Sequence, residues 1–196
     1  MKYRSIWIVV AMLLLPAASH AQHGGGAPPN RSAPREAAQF NFLLGQWDLT
    51  VVPASRTLAQ KVHGVGKLSG TWKAWRVMDG WGIEDELRVI DRSGNPMTLS
   101  HAVRLYDASS RKWKTSTLDP YRGVINSAEA EWRQSEMYTS SRGTDTDGKP
   151  YLARSRYTDI TPGSFRFVQE RSTDGGKTWK ENLTIEAKRV SATATR

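Results

Sequence analysis

FNFLLGQWDLTVV, residues 40–52, changes character in its middle. Ala37, Phe40, Leu43 and Leu44 recur at helical spacing, and Gly45 is a natural helix stop, so a short two-turn helix is predicted to end there. From Trp47 the chain takes on strand chemistry. A helix that gives way so abruptly to a strand is placed across one end of a sheet.

Outward from this stretch the chain is strand and turn. Residues 81–90, 97–106, 112–118, 136–142, 151–159, 165–171 and 178–188 are short and mostly alternating. Between them stand DRSGNP (91–96), DASS (107–110), DPYRG (119–123), DTDGKP (145–150), TPG (161–163) and DGG (174–176), where Asp, Asn, Gly and Pro supply side-chain caps and positive φ. Tight turns join sequential strands in antiparallel pairs. The predicted fold is all-β: a single antiparallel up-and-down barrel of about ten strands with a short amino-terminal helix across one end. The alternative is a two-sheet sandwich.

One three-stranded section allows faces to be assigned. Trp81, Ile83, Asp85, Leu87 and Val89 alternate with Glu84, Glu86 and Arg88, so the odd face is buried. Met97, Leu99, His101, Val103 and Leu105 share a face of the next strand. A compact hairpin pairing Val89 with Met97 sets Asp85 opposite His101 and Trp81 opposite Leu105, and the following turn brings Trp113 beside Leu105 and Thr117 beside His101. An apolar interior crossed by the polar row Asp85, His101 and Thr117 is expected. Such a row is either a self-satisfied network or a binding site, because buried polar groups need partners. The candidate ligand-binding residues are Trp81, Asp85, Leu87, His101, Val103, Trp113 and Thr117.

The FLLGxWD opening, Gly80-x-Gly82-Ile83-x-Asp85-Glu86, Leu105-Tyr106-Asp107 with Trp113 following, and Ser172-x-Asp174-Gly175-Gly176-Lys177-Thr178-Trp179 together resemble a family of small exported proteins of undefined function. The resemblance implies a calycin-like barrel whose interior takes a small apolar or amphipathic molecule, and it brings no catalytic residues with it. Gly45-x-Trp47 also resembles the Gly-x-Trp of lipocalins and nitrobindins, where the Trp closes the barrel base. Heme, as in nitrobindins, would need an axial histidine from His63 or His101, and Leu49 and Val51 stand where nitrobindins continue with Gly. No cofactor is expected. STDGGKTW matches the Asp-box hairpin of sialidase-like propellers, but one copy does not make a propeller. Ser172, Asp174 and Trp179 are read as a hairpin lock, and Gly45 and Trp47 as structural.

Other chemistry fails on spacing. In Asp145-x-Asp147-Gly148 the fifth and twelfth positions of a calcium loop are Lys149 and Arg156, so no metal site is predicted. Gly-x-Ser-x-Gly, Walker and dinucleotide-binding glycine patterns are absent. An enzyme of isomerase or cyclase type would have to use Asp85 and His101.

Lys2 and Arg4, the apolar run 6–15 and the small residues Ser19 and Ala21 read as a secretory signal cleaved after Ala21, since the run is half of the ~20 apolar residues a spanning helix needs. Residues 22–38, rich in Gly and Pro, read as a flexible arm, 39–190 as the barrel and 191–196 as a disordered tail. The expected location is the periplasm or the exterior. With no cysteine, neither disulfides nor a lipid-modified cysteine is available. A net charge of +9 favours anionic partners, but no basic run or nucleic-acid motif is present. The expected partner is a small hydrophobic or amphipathic molecule held in the barrel interior, anionic ones included, with no nucleic acid and no stable membrane anchor. The competing readings are the barrel-interior enzyme and an envelope interaction protein with a solid core.

Overall fold

Trp47, Leu49 and Val51 are buried on β1 (Gly45–Pro53), and Asp48 and Thr50 between them are exposed. The same period of two runs through β2 (Leu68–Val77), β3 (Gly82–Ile90), β4 (Pro96–Asp107), β5 (Lys112–Asp119), β6 (Val124–Arg133), β7 (Glu136–Thr144), β8 (Pro150–Thr158), β9 (Ser164–Ser172) and β10 (Lys180–Ser191). This computed structural model describes residues 32–55, 60, 62, 66–145 and 147–194. The predicted signal segment, most of the arm, the end of the tail and His63 lie outside the described residues.

Each strand pairs antiparallel with its sequence neighbour, and β10 returns to β1, with Leu49 opposite Ala187 and Val51 opposite Ile185. Closure removes the two edges an open meander would expose. The result is a closed ten-stranded antiparallel up-and-down barrel, as the turn chemistry predicts. β2 and β6 are the strands without a clear sequence signal. Their inward positions include Gly70 and Ala74 on β2 and Asn126, Ala128 and Ala130 on β6, which are too small or too polar to make the alternation stand out.

The helical segment is two 3-10 turns, Arg35–Ala38 and Asn41–Leu43, rather than one two-turn helix. Ala37, Phe40 and Leu43 repeat every three residues, the 3-10 period, and all three are buried at 2% exposure or less. Residues 35–38, which by composition belong with the arm, pack onto the barrel instead. Two short turns leave carbonyls unpaired, and the barrel rim supplies their donors. Trp47 Nε1 donates to the Leu43 oxygen at 2.7 Å. Arg189 donates to the Leu44 and Phe42 oxygens, and Arg76 to the Ala37 and Gly80 oxygens and to Asn41 Oδ1.

Beneath this lid lies an aromatic cluster. Phe40 meets Trp113 edge-on at 4.9 Å between centroids, and Trp47 meets Phe165 at 4.7 Å. The Arg189 guanidinium stands 4.0 Å over the Trp47 ring, a contact of about 0.5–2 kcal/mol where partly desolvated. Gly45 lets β1 leave the lid: its φ is +106°, and a Cβ there would stand 2.3 Å from the Ser191 oxygen.

Candidate functional site

The lid end of the barrel is solid, and the space lies in the other half. On one side of that half Leu49, Val51, Val89 and Ile185 are buried against one another. The opposite wall, from β5 to β9, turns hydroxyls and amides inward. Thr115, Thr117, Asn126, Thr139, Ser141, Ser155 and Gln169, with Arg104, Tyr151, Tyr157 and Phe167, line an interior chamber of about 210 Å³. This exceeds the ~150 Å³ that holds a benzene-sized ligand.

Arg104 and Tyr157 form the floor. Arg104 Nε donates to Asp85 Oδ2 at 2.5 Å and its terminal nitrogen to Oδ1 at 3.2 Å, while Trp72 Nε1 donates to Oδ1 at 2.8 Å. Asp85 and Arg104 are only 3% and 7% exposed, so each charge depends on the other. Burial alone would lower the Arg104 pKa; the Asp85 carboxylate more than reverses this and holds it above the ordinary range, so the guanidinium stays charged. Burial pushes the Tyr157 hydroxyl up to about 12, against the opposing pull of Arg104, and the hydroxyl stays neutral at physiological pH. Phe40 of the lid lies 5.1 Å below the guanidinium.

The expected polar row is corrected by one residue. Val89 pairs with Thr98 and Ile90 with Pro96, so a bulge at Met97 shifts the register, and Asp85 falls opposite Ala102 rather than His101. A one-residue slip exchanges the faces of a strand. Ala102, Arg104 and Tyr106 therefore point inward, and Met97, Leu99, His101, Val103 and Leu105 point outward. Burial of Asp85 explains the outcome, since the inward face of β4 offers it a guanidinium. His101 lies outside the barrel, 3.9 Å from Glu84 and beside the Trp75 ring. A shared interior role for Asp85 and His101 is thereby excluded.

The other candidates divide. Thr117 lines the chamber, across from Ala102, so the row runs Asp85, Ala102, Thr117. Leu87 packs against the core from β3. Trp113 is buried under the lid, where its Nε1 donates to Gln39 Oε1 at 3.1 Å, away from the chamber. Val103 faces outward, and Trp81 sits in the turn before β3. Sequence reasoning missed Arg104, Tyr157 and the hydroxyl wall. The signal for Arg104 was available: it is the only Lys or Arg on either face of residues 97–106.

Two features stand outside the chamber lining, at the end of β9. Arg171 of β9 stacks on Tyr151 at 4.4 Å, and among the described residues its Nε is buried without a hydrogen-bond partner. Beside it the β9–β10 hairpin is locked as expected. Ser172 Oγ donates to Asp174 Oδ1 at 2.7 Å and accepts from the Gly176 N–H, and Thr178 donates to Asp174 through both its N–H and its hydroxyl. These bonds, the Thr178 hydroxyl first, hold the Asp174 carboxyl well below the usual range. Trp179 closes back on the Gly176 oxygen and carries the Arg154 guanidinium over its ring at 4.3 Å.

No protein-family model matches the chain, and no curated protein matches its sequence. Among solved structures, the S-type phycobiliprotein lyase CPES from Guillardia theta is similar over 80% of this chain and 92% of its own, with 14% identity and a TM-score of 0.52. A redesigned β-barrel, mFAP0, bound to DFHBI, matches 76% of this chain and 99% of its own, with 11% identity and a TM-score of 0.40. At 14% identity the likeness to the lyase establishes a shared fold and nothing more of the chain's chemistry.

Proposed function

We propose that the protein binds a small amphipathic molecule in the chamber, with the molecule's hydrogen-bonding end against the hydroxyl wall. The observation that carries this reading is the lining: at least seven side-chain hydroxyls and amides converge on open space inside a barrel whose other half is packed. A barrel that needed only a core would fill this half with apolar side chains, because buried polar groups without partners cost stability. A similar barrel in a phycobiliprotein lyase supports the reading at the level of fold alone. The amino-terminal segment 1–21 supports a role outside the cytoplasm. Binding without catalysis is the reading favoured here, because the described residues that line the chamber include no carboxylate, imidazole or amine to serve as a general base for its hydroxyls.

Native mass spectrometry of protein purified gently from its own host is the test. A retained small molecule is expected in the wild type and reduced occupancy in Thr117→Val combined with Thr139→Val, which removes two hydroxyls from the wall. Wild-type protein that carries only its own mass, even at saturating extract from that host, would overturn the reading.

A further inference from the structure

The barrel wall is unzipped along one seam. β6 begins at Val124 and β7 ends at Thr144, yet their pairing stops at Ala128 opposite Ser141. Residues 124–127 pair only with β5, and residues 142–144 only with β8. A strand pair of this length would ordinarily zip to its end, since every unpaired backbone N–H and C=O forgoes a ladder bond. At the tip the gap is bridged by a side chain: Arg122, from the β5–β6 turn, donates to the Thr144 carbonyl at 2.8 Å. The opening is thus a bounded window, with Ala128 and Ser141 below and Arg122 above.

An outer groove of about 880 Å³ runs over this seam towards Leu152 and Trp179. Ser127, Ala128, Ser141 and Arg142 line both the groove and the interior chamber, so the two spaces adjoin at the window. On the inner side the Tyr151 ring lies over part of the seam. Gly143 presents bare backbone there, and a Cβ at that position would stand 2.6 Å from the Tyr151 hydroxyl, which occupies the space instead.

We propose that the β6–β7 seam is a side entrance to the chamber, and that the ligand straddles it. Its hydrogen-bonding end lies in the chamber, and an apolar extension passes between Ser127 and Arg142 to lie in the outer groove against Leu152 and Trp179. The ligand class this selects is an elongated amphipath, longer than the chamber itself. The proposal rests on the reading of the chamber as a binding site, to which it adds the route and the shape of what enters.

The absence of cysteine makes access directly measurable. Ser155 lines the chamber and is 6% exposed, so Ser155→Cys places a single thiol inside it. N-ethylmaleimide and N-octylmaleimide are the probes, and the adduct is counted by intact mass. Both reagents are expected to label the introduced thiol in folded protein at rates within about threefold of each other. Adding Ser127→Trp, on the outer rim of the seam, is expected to slow both at least tenfold without lowering the melting temperature. Rates unchanged by Ser127→Trp would overturn the side entrance. So would labelling by the ethyl reagent alone, or labelling seen only after unfolding in urea. The labelled protein is first freed of any retained molecule by refolding from urea, checked by native mass, so the rates report access to an empty chamber and the failure of the entrance is distinct from the failure of binding.

Discussion

Asp85 and Arg104 lie on adjacent strands inside the barrel, and neither charge would be tolerable there alone. Arg104→Met is expected to cost about 3–5 kcal/mol in urea unfolding, because it leaves a buried carboxylate without its cation, held by the Trp72 N–H. Asp85→Leu combined with Arg104→Met should recover most of that loss. A single-variant cost below about 1 kcal/mol, or no recovery in the double variant, would show that the pair is not interdependent. Tyr157 gives a separate test at high pH. Its pKa rises from an unfolded value near 10.0 to about 12, so the unfolded chain loses this proton first. The neutral hydroxyl's contribution is complete below pH 10 and is lost as pH climbs through 12, at no more than about 1.4 kcal/mol per pH unit. Tyr157→Phe should flatten the stability profile over that window. An unchanged slope would place the alkaline loss elsewhere.

At the scale of the element, the hairpin lock behaves as a unit set by Asp174. Its depressed carboxyl contributes stability above the unfolded value of 3.8, and that contribution fades as pH falls below it. Asp174→Ala should therefore lower the melting temperature more at about pH 7 than near pH 2, where part of the contribution has already gone. Equal losses at the two pH values would show that the charge is not what holds the turn. This hairpin was legible because its chemistry is local: four hydrogen bonds within residues 172–178 follow from side chains a few positions apart. The register of β4 was not legible. Its outward face carries Met97, Leu99, Val103 and Leu105, the more apolar set, and only a bulge at Met97 together with the need of Asp85 for a cation turns Arg104 inward. Both facts depend on a neighbouring strand. The lid was legible in position but not in helix type, because Ala37, Phe40, Leu43 and Leu44 satisfy a helical spacing until Leu44 departs from the threefold repeat.

For the whole molecule, regular turn chemistry between short alternating segments was enough to specify a closed meander, and the ten strands follow it. The chamber could not be read in the same way. Thr115, Thr139, Ser141 and Ser155 look like solvent-facing strand residues until closure turns them inward together, and empty space is a property of the closed sheet rather than of any residue. Everything proposed for the protein depends on this space being a built chamber and not a loosely drawn core. Thr117 stands in its wall, so Thr117→Phe separates the two in one variant. If the space is a chamber, the ring enters it, unfolding stability stays within about 0.5 kcal/mol of wild type, and the molecule retained by wild-type protein is gone from the native mass spectrum. A loss of about 1–3 kcal/mol, the usual cost of overpacking a filled core, with the retained molecule still bound, would contradict it.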